Sequence, residues 1–231
     1  MRLTGASPDG WGSISADRQF LKALREYCDR TGTQLIYDEV VTGFRLGLGG
    51  AHGYFVEPDL TVLGKIIGGG LPIGAICGRR DVMEHMDHTK YSGMEYFYHG
   101  GSFAGNPITL AAGLATINVL EHSPVYEHID KPGNMARQDM NRIFEDADFP
   151  AQAVGVGSLF AVHLTNKKPL KDISDFTHYD LAQSKRRFNY LLENGIVILI
   201  PEMMHGAASY AHKEKDINYL TTCAENVKSR S

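Results

Sequence analysis

"LKALREYCDRTGTQLIYDEVVTGFR", residues 21–45, decides the class of fold. Leu21, Leu24, Tyr27 and Cys28 recur at helical spacing, and Phe20 extends the stripe upstream. Ser15 is the expected N-cap and Gly32 the stop. The chain then runs at once into Leu35, Ile36 and Tyr37, a short apolar stretch of the kind found in strands covered on both faces. A helix feeding directly into a buried strand predicts α/β layers, with the strand ending on Asp38 and Glu39. "DLTVLG" (59–64) and "IGAICG" (73–78) are expected to be further strands of the same kind. "NPITLAAGLATINVLEH" (106–122) reads as an apolar helix with Pro107 in its first turn.

The character changes after "EHSP" at 121–124. A polar helix is expected from about Tyr126 to about Asp146, and "AVGVGSLFAVHL" (153–164) as a strand pair or one bent strand. A helix of about twenty residues should precede a strand at "NGIVILIP" (194–201). "HKEKDINYLTTCAENVKS" (212–229) closes the chain as an amphipathic helix. The expected domains are therefore residues 1–123, α/β, and 124–231, a smaller α+β unit.

Composition excludes several classes. Net charge is −4 and pI about 6.2, which argues against a nucleic-acid footprint. No stretch approaches the ~18 apolar residues of a membrane span. The opening "MRLTGASPDGWGS" lacks the apolar core of a signal peptide. Cys28, Cys77 and Cys223 are odd in number and far apart, so they read as reduced thiols of a cytoplasmic protein. His85 and His88 lie three apart but complete no zinc motif, and no metal is expected. Neither "GLGGAHG" (47–53) nor "GVGSLF" (155–160) completes a dinucleotide fingerprint, and Gly64-Lys65 lacks the Ser or Thr of a P-loop.

"TVLGKIIGGGLP" (61–72) places one lysine, Lys65, in a run otherwise apolar or glycine. One reading is a surface lysine beside a flexible loop. The other is a lysine desolvated by Leu63, Ile66 and Ile67, its amine made neutral enough to form a Schiff base. The glycines would then supply close backbone approach to a ligand or left-handed turns. Asp38 and Glu39 end their strand where α/β sheets bind ligands. As paired carboxylates they could hold magnesium or serve as acid and base; as ordinary strand-end acids they could cap the next turn.

The segments occur in a set order: "YDEVVTGFR", then "PDLTVLGKIIGGGLPIGA" with Lys65 27 residues after Asp38, then "HGGSFAGNP" at 99–107. This series resembles the class III, fold-type I, pyridoxal-phosphate-dependent aminotransferases, and within them the glutamate-1-semialdehyde 2,1-aminomutase branch. "GVGSLFAVHL" is similar to that branch too, and the resemblance runs from about Gly12 onward. It implies a partial fold-type I large domain with a smaller C-terminal α+β domain, pyridoxal 5'-phosphate as cofactor, and amino-group transfer on a small amino acid or amino-aldehyde. It implies that Lys65 carries the cofactor as a Schiff base and moves the substrate proton. Asp38 would pair with the pyridine nitrogen, and Val40 would pack on one face of the ring. Gly101 and Ser102 would reach the phosphate across a homodimer interface. Arg45 would be structural and His99 a candidate substrate contact.

The sequence corresponds to the C-terminal half or somewhat more of such chains. The glycine and Ser/Thr loop expected to cradle the phosphate at a helix N-terminus, and the aromatic residue expected over the other ring face, have no counterpart in it. Met1 is accordingly read as an alternative start, a gene-model boundary or one part of a split gene. The alternative to an active enzyme is a non-catalytic fragment, or a subunit that dimerises with a full-length relative. "ASYAHKEKDINYL" (208–220) places Ser209, His212 and Asp216 where the branch carries similar residues.

Overall fold

The computed structural model describes residues 2–3, 13–51, 56–165, 169–170, 175, 181–198 and 204–228. The opening segment and part of "NGIVILIP" therefore lie outside the described residues, as does part of "GLGGAHG". The chain divides into two compact units, one formed mainly by Ala16–Ser123 and one mainly by Pro124–Ser231.

The first unit holds a four-stranded sheet in the order β1-β2-β3-β4. These strands are β1 (Arg2–Leu3), β2 (Leu35–Glu39), β3 (Leu60–Gly64) and β4 (Gly74–Gly78). The first three are parallel, with Ile36 opposite Leu60 and Glu39 opposite Leu63. Helix α1 (Arg18–Thr31) precedes β2 and buries Leu21 and Cys28. Its cap is Asp17, not Ser15: the Asp17 carboxylate accepts from the Gln19 and Phe20 amides at 2.7 and 3.2 Å. Asp17 takes the role because it stands one residue before the helical dihedrals begin, so its short side chain reaches both amides. Gly32 ends α1 with φ 65°.

Strand β2 is buried on both faces except at Asp38, as its composition predicts. Strand β4 is not what its composition predicts. It runs antiparallel to β3, and of its five residues only Ala75 is half-buried. An apolar run is buried only where neighbouring layers lie against it, and β4 stands at the sheet edge. The short helix α2 (Arg80–Met83) follows, and later the 16-residue helix α3 (Pro107–His122), capped by the Asn106 side chain on the Ile108 and Thr109 amides.

A buried carboxylate ties this unit together. Asp59 accepts from the Leu35 amide at 2.7 Å, from Arg25 of α1 at 2.9 Å and from Arg79, just past β4, at 2.8 Å. Burial alone would raise its carboxyl. The Leu35 amide and the two guanidinium groups outweigh burial and hold it below the usual carboxylate range.

The second unit is α+β. Helix α4 (Val125–Asp146) packs on an antiparallel sheet of β5 (Ala151–Val154), β6 (Leu159–Leu164) and β7 (Met204–Ala207). Helices α5 (Leu181–Glu193) and α6 (Glu214–Lys228) complete it. Its core gathers Ala136 and Met140 from α4, Phe160, Val162 and Leu164 from β6, Leu191 from α5, and Ile217 and Leu220 from α6. "AVGVGSLFAVHL" (153–164) runs from the end of β5 through a turn into β6, the antiparallel strand pair expected. Residues 194–198 form a turn and irregular backbone rather than a strand; α5 has 13 described residues, and the upstream part of the expected helix lies outside the described residues.

Candidate active site

The parallel register places two expected residues side by side. Asp38 is the penultimate residue of β2, opposite Val62, and Lys65 follows directly on Gly64, the last residue of β3. Both therefore stand at the carboxyl ends of adjacent parallel strands, where open α/β sheets bind ligands. Val40 joins them: its Cγ1 lies 3.3 Å from the point where a Cβ on Gly64 would stand.

Lys65 opens a 3-10 turn (Lys65–Gly68) with φ 49°, a left-handed conformation unusual for a residue with a side chain. Such backbone costs on the order of 1–3 kcal/mol and persists only where the surroundings enforce it. Helix α3 enforces it here. A Cβ on Gly113 would stand 2.0 Å from the Ile67 carbonyl oxygen, and one on Gly69 would stand 2.4 Å from the Ala112 carbonyl oxygen. The turn and the helix touch backbone to backbone. Two glycines of the "GGG" run, Gly68 against Ile73 and Gly69 against α3, thus serve internal packing rather than leaving room for a ligand.

Lys65 itself is exposed, which corrects the expectation of a desolvated amine. Its apolar neighbours point elsewhere. Ile67 turns inward and is buried, and Leu63 packs on the opposite sheet face, against Gly43.

Asp38 and Glu39 do not act as a pair, because successive strand residues face opposite sides. Glu39 is buried, 1% exposed. It accepts from the Ala51 amide at 2.6 Å and the Thr42 hydroxyl at 3.1 Å, closing the turn that follows β2. Gly50 permits this: a Cβ there would stand 2.1 Å from the Glu39 carboxylate. The magnesium and acid–base readings of the pair are thereby overturned. Asp38 is exposed and accepts from the Val40 amide at 3.1 Å through Oδ1, the capping bond of an ordinary strand end. Its other oxygen remains available. A carboxylate with one free oxygen, an exposed amine and an apolar side chain thus stand at the carboxyl ends of two neighbouring strands, chemically suited to hold an aromatic ring nitrogen, a carbonyl carbon and a ring face.

Gly101 and Ser102 lie elsewhere. Both are exposed and line a concavity of about 510 Å³ with Pro72–Ala75, His99, Thr109 and Leu110. Lys65, Asp38 and Val40 take no part in it. Arg45 is half-buried in the turn after β2. The His85 ring sits 2.8 Å from the Glu95 carbonyl and stacks on Tyr91, so it pins a surface loop. No group of three or more metal-ligating side chains converges among the described residues.

In the second unit the Ser209 hydroxyl and amide lie 2.8 and 3.0 Å from His212 Nδ1, and Asp216 accepts from the Lys213 amide at 2.8 Å. These residues build the turn that starts α6. Sequence reasoning missed Asp59 as the organiser of β2–β4, because its arginine partners lie 34 and 20 residues away. It also missed Gly113, which sets the height of the Lys65 turn.

The fold is that of the large group of aminotransferases, and the sequence fits it. The profile of the class III aminotransferase family matches residues 7–218, so the chain belongs to that family. An ω-transaminase from Sphaerobacter thermophilus is 30% identical, with a TM-score of 0.84 over 98% of this chain and 51% of its own. A transaminase with PLP bound is 33% identical, with a TM-score of 0.83 over 99% of this chain and 51% of its own. A glutamate-1-semialdehyde aminomutase from Pseudomonas aeruginosa PAO1 shares the fold at 24% identity and a TM-score of 0.84, over 98% and 51%. The chain thus spans about half the length of these structures. Class III aminotransferases are pyridoxal-phosphate enzymes. No helix among the described residues is long and apolar enough to cross a membrane.

Proposed function

We propose that this chain is the lysine-bearing half of a pyridoxal-phosphate-dependent amino-group transferase. It would act on a small amino acid or amino-aldehyde, by transamination or by internal transfer of the glutamate-1-semialdehyde aminomutase kind. The observation that carries the reading is the meeting of Asp38, Val40 and Lys65 at the carboxyl ends of β2 and β3 in a chain of this family. Residues 1–123 would be the C-terminal part of the cofactor-binding domain and 124–231 the small C-terminal domain.

When bound, pyridoxal phosphate supplies an electron sink for the bond broken at the substrate carbon. Lys65 would hold the cofactor through Nζ and would take and return the substrate α-proton at that same atom. The strained turn and its backbone contact with α3 fix where Nζ begins. The free oxygen of Asp38 would accept from the ring N–H and keep that nitrogen protonated. Val40 would cover one ring face. Gly101 and Ser102 would serve the phosphate of a second subunit, since they stand apart from Lys65. Met94, Phe97, Tyr98 and Phe103 flank Ser102 and are each at least 66% exposed, which supports a homodimer burying this segment. The three cysteines are free and support a cytoplasmic setting.

A second reading, a subunit that completes its pocket only with a full-length relative, is favoured by the exposure of Lys65. One experiment separates the two. The purified chain is incubated with cofactor, scanned for absorbance, reduced with borohydride and mapped by mass spectrometry. The enzyme reading expects a reduced adduct concentrated on Lys65 and absent from Lys65→Ala, which should keep its fold. Labelling spread evenly over surface lysines, unchanged in Lys65→Ala, removes Lys65 from the mechanism.

A further inference from the structure

The turn that joins β7 to α6 is held by an imidazole acting as acceptor. The Ser209 amide donates to His212 Nδ1 at 3.0 Å, and the Ser209 hydroxyl lies 2.8 Å from the same nitrogen. The His212 amide returns a bond to the Ser209 carbonyl at 3.0 Å and closes the turn. A side chain three residues ahead that accepts from a backbone amide is the device of the capping box, where Glu or Gln supplies the acceptor. His212 supplies it here, and α6 begins only at Glu214. An amide N–H can only donate, so Nδ1 must present its lone pair. The ring proton of the neutral form therefore belongs on Nε2.

We infer that the Ser209–His212 turn is a proton-sensitive latch, closed while His212 is neutral and opened when its ring takes a second proton. That proton must enter at Nδ1, the ring nitrogen that carries none, and Nδ1–H is then a donor. The Ser209 hydroxyl can rotate from donating to accepting and keep its bond. The Ser209 amide cannot reverse, and it is left facing an N–H. Histidine is the side chain whose charge ordinarily changes between about pH 5 and about pH 8, so an imidazole in this place responds where Gln would not. His212 is exposed, and solvent protons reach it. Other titratable groups surround the latch. His205 of β7, and Asp216 and Tyr219 of α6, line the same cleft as His212. Asp216 is engaged by the Lys213 amide at 2.8 Å, Glu214 pairs with Lys131 of α4, and Lys215 follows in the first turn of α6. His128 of α4 behaves differently. Its Nε2 lies 3.0 Å from the Tyr210 carbonyl, and the two rings stack at 4.4 Å. A carbonyl only accepts, so this nitrogen carries its proton in either charge state and the bond survives. Acid thus removes the tie inside the turn and leaves the tie from the turn to α4.

The test is heteronuclear magnetic resonance of the whole chain. At about pH 8 the inference expects the Nε2–H tautomer at His212, and an Nδ1–H tautomer overturns it. Exchange of the Ser209 amide is then expressed as protection relative to the unstructured chain, so that the intrinsic pH dependence of exchange cancels. Protection should fall roughly 5-fold between about pH 8 and about pH 5, the loss expected of one hydrogen bond. His212→Gln keeps an acceptor that takes no proton, so its Ser209 amide should be equally protected at both pH values. His128→Phe keeps a ring against Tyr210 and should leave the fall in place. Equal protection at both pH values in the unaltered chain overturns the inference. So does a fall that persists in His212→Gln or vanishes in His128→Phe. The tautomer and the fall are both read on the unaltered chain, which decides the matter should a variant not fold. No readout involves cofactor, so failure here leaves the Lys65 assignment standing.

Discussion

Gly113→Ala tests whether helix α3 sets the position of Lys65. The added Cβ would stand 2.0 Å from the Ile67 carbonyl oxygen, where real contacts stay above 3.0 Å, so helix and turn must part by about 1 Å. Two effects oppose each other. Replacing a mid-helix glycine gains about 1 kcal/mol of helix propensity, while overpacking typically costs about 1–3 kcal/mol. The net loss is between zero and about 2 kcal/mol, a fall of at most about 8 °C in melting temperature for a chain this long. The local effect is larger in consequence. A displacement of about 1 Å at a reacting group costs on the order of 100-fold in rate. Thermal melting by circular dichroism and the rate of borohydride-trapped labelling at Lys65 measure the two effects separately. We expect modest destabilisation with severely slowed labelling. A rise in melting temperature with labelling unchanged would refute the backbone contact and the argument built on it.

Two further predictions concern the frame. Because the Asp59 carboxyl is held below its ordinary range in the folded chain, its contribution is present above about pH 4 and fades as pH falls toward the folded value. Asp59→Asn should cost about 1–3 kcal/mol at neutral pH and flatten the acid limb of a stability–pH curve, measured by urea titration. An acid limb identical in both proteins rules the clamp out. Glu39→Gln should destabilise by about 1–3 kcal/mol and speed amide exchange over residues 42–51, since the Ala51 amide and Thr42 hydroxyl lose a charged acceptor. Unaltered exchange there would mean that the turn is held by other contacts.

What the sequence disclosed follows from the range of each interaction. Helix α1 and strand β2 were legible because periodicity and caps are local, although the cap itself moved from Ser15 to Asp17. Asp38, Val40 and Lys65 were picked out by a long motif, and the parallel register accounts for their standing at neighbouring strand ends, while the roles proposed for them rest on the family. The exposure of Lys65 was not legible, because desolvation depends on which neighbours turn toward an amine, not on which precede it in sequence. Strand β4 misled for the same reason, its apolar composition being silent about the layers beside it. Asp59 and Gly113 act on partners distant in the chain, which a pattern of spacing does not reveal.

The left-handed backbone at Lys65 has a consequence for how this chain tolerates change. Glycine would fill that position with the least strain, and selection for stability alone would drift toward it. A lysine kept there holds the chain below the stability its own framework permits. Position 65 is thus a place where thermal robustness and the chemistry proposed for the lysine pull in opposite directions, and a screen for heat resistance that ignored activity would be expected to discard the lysine early.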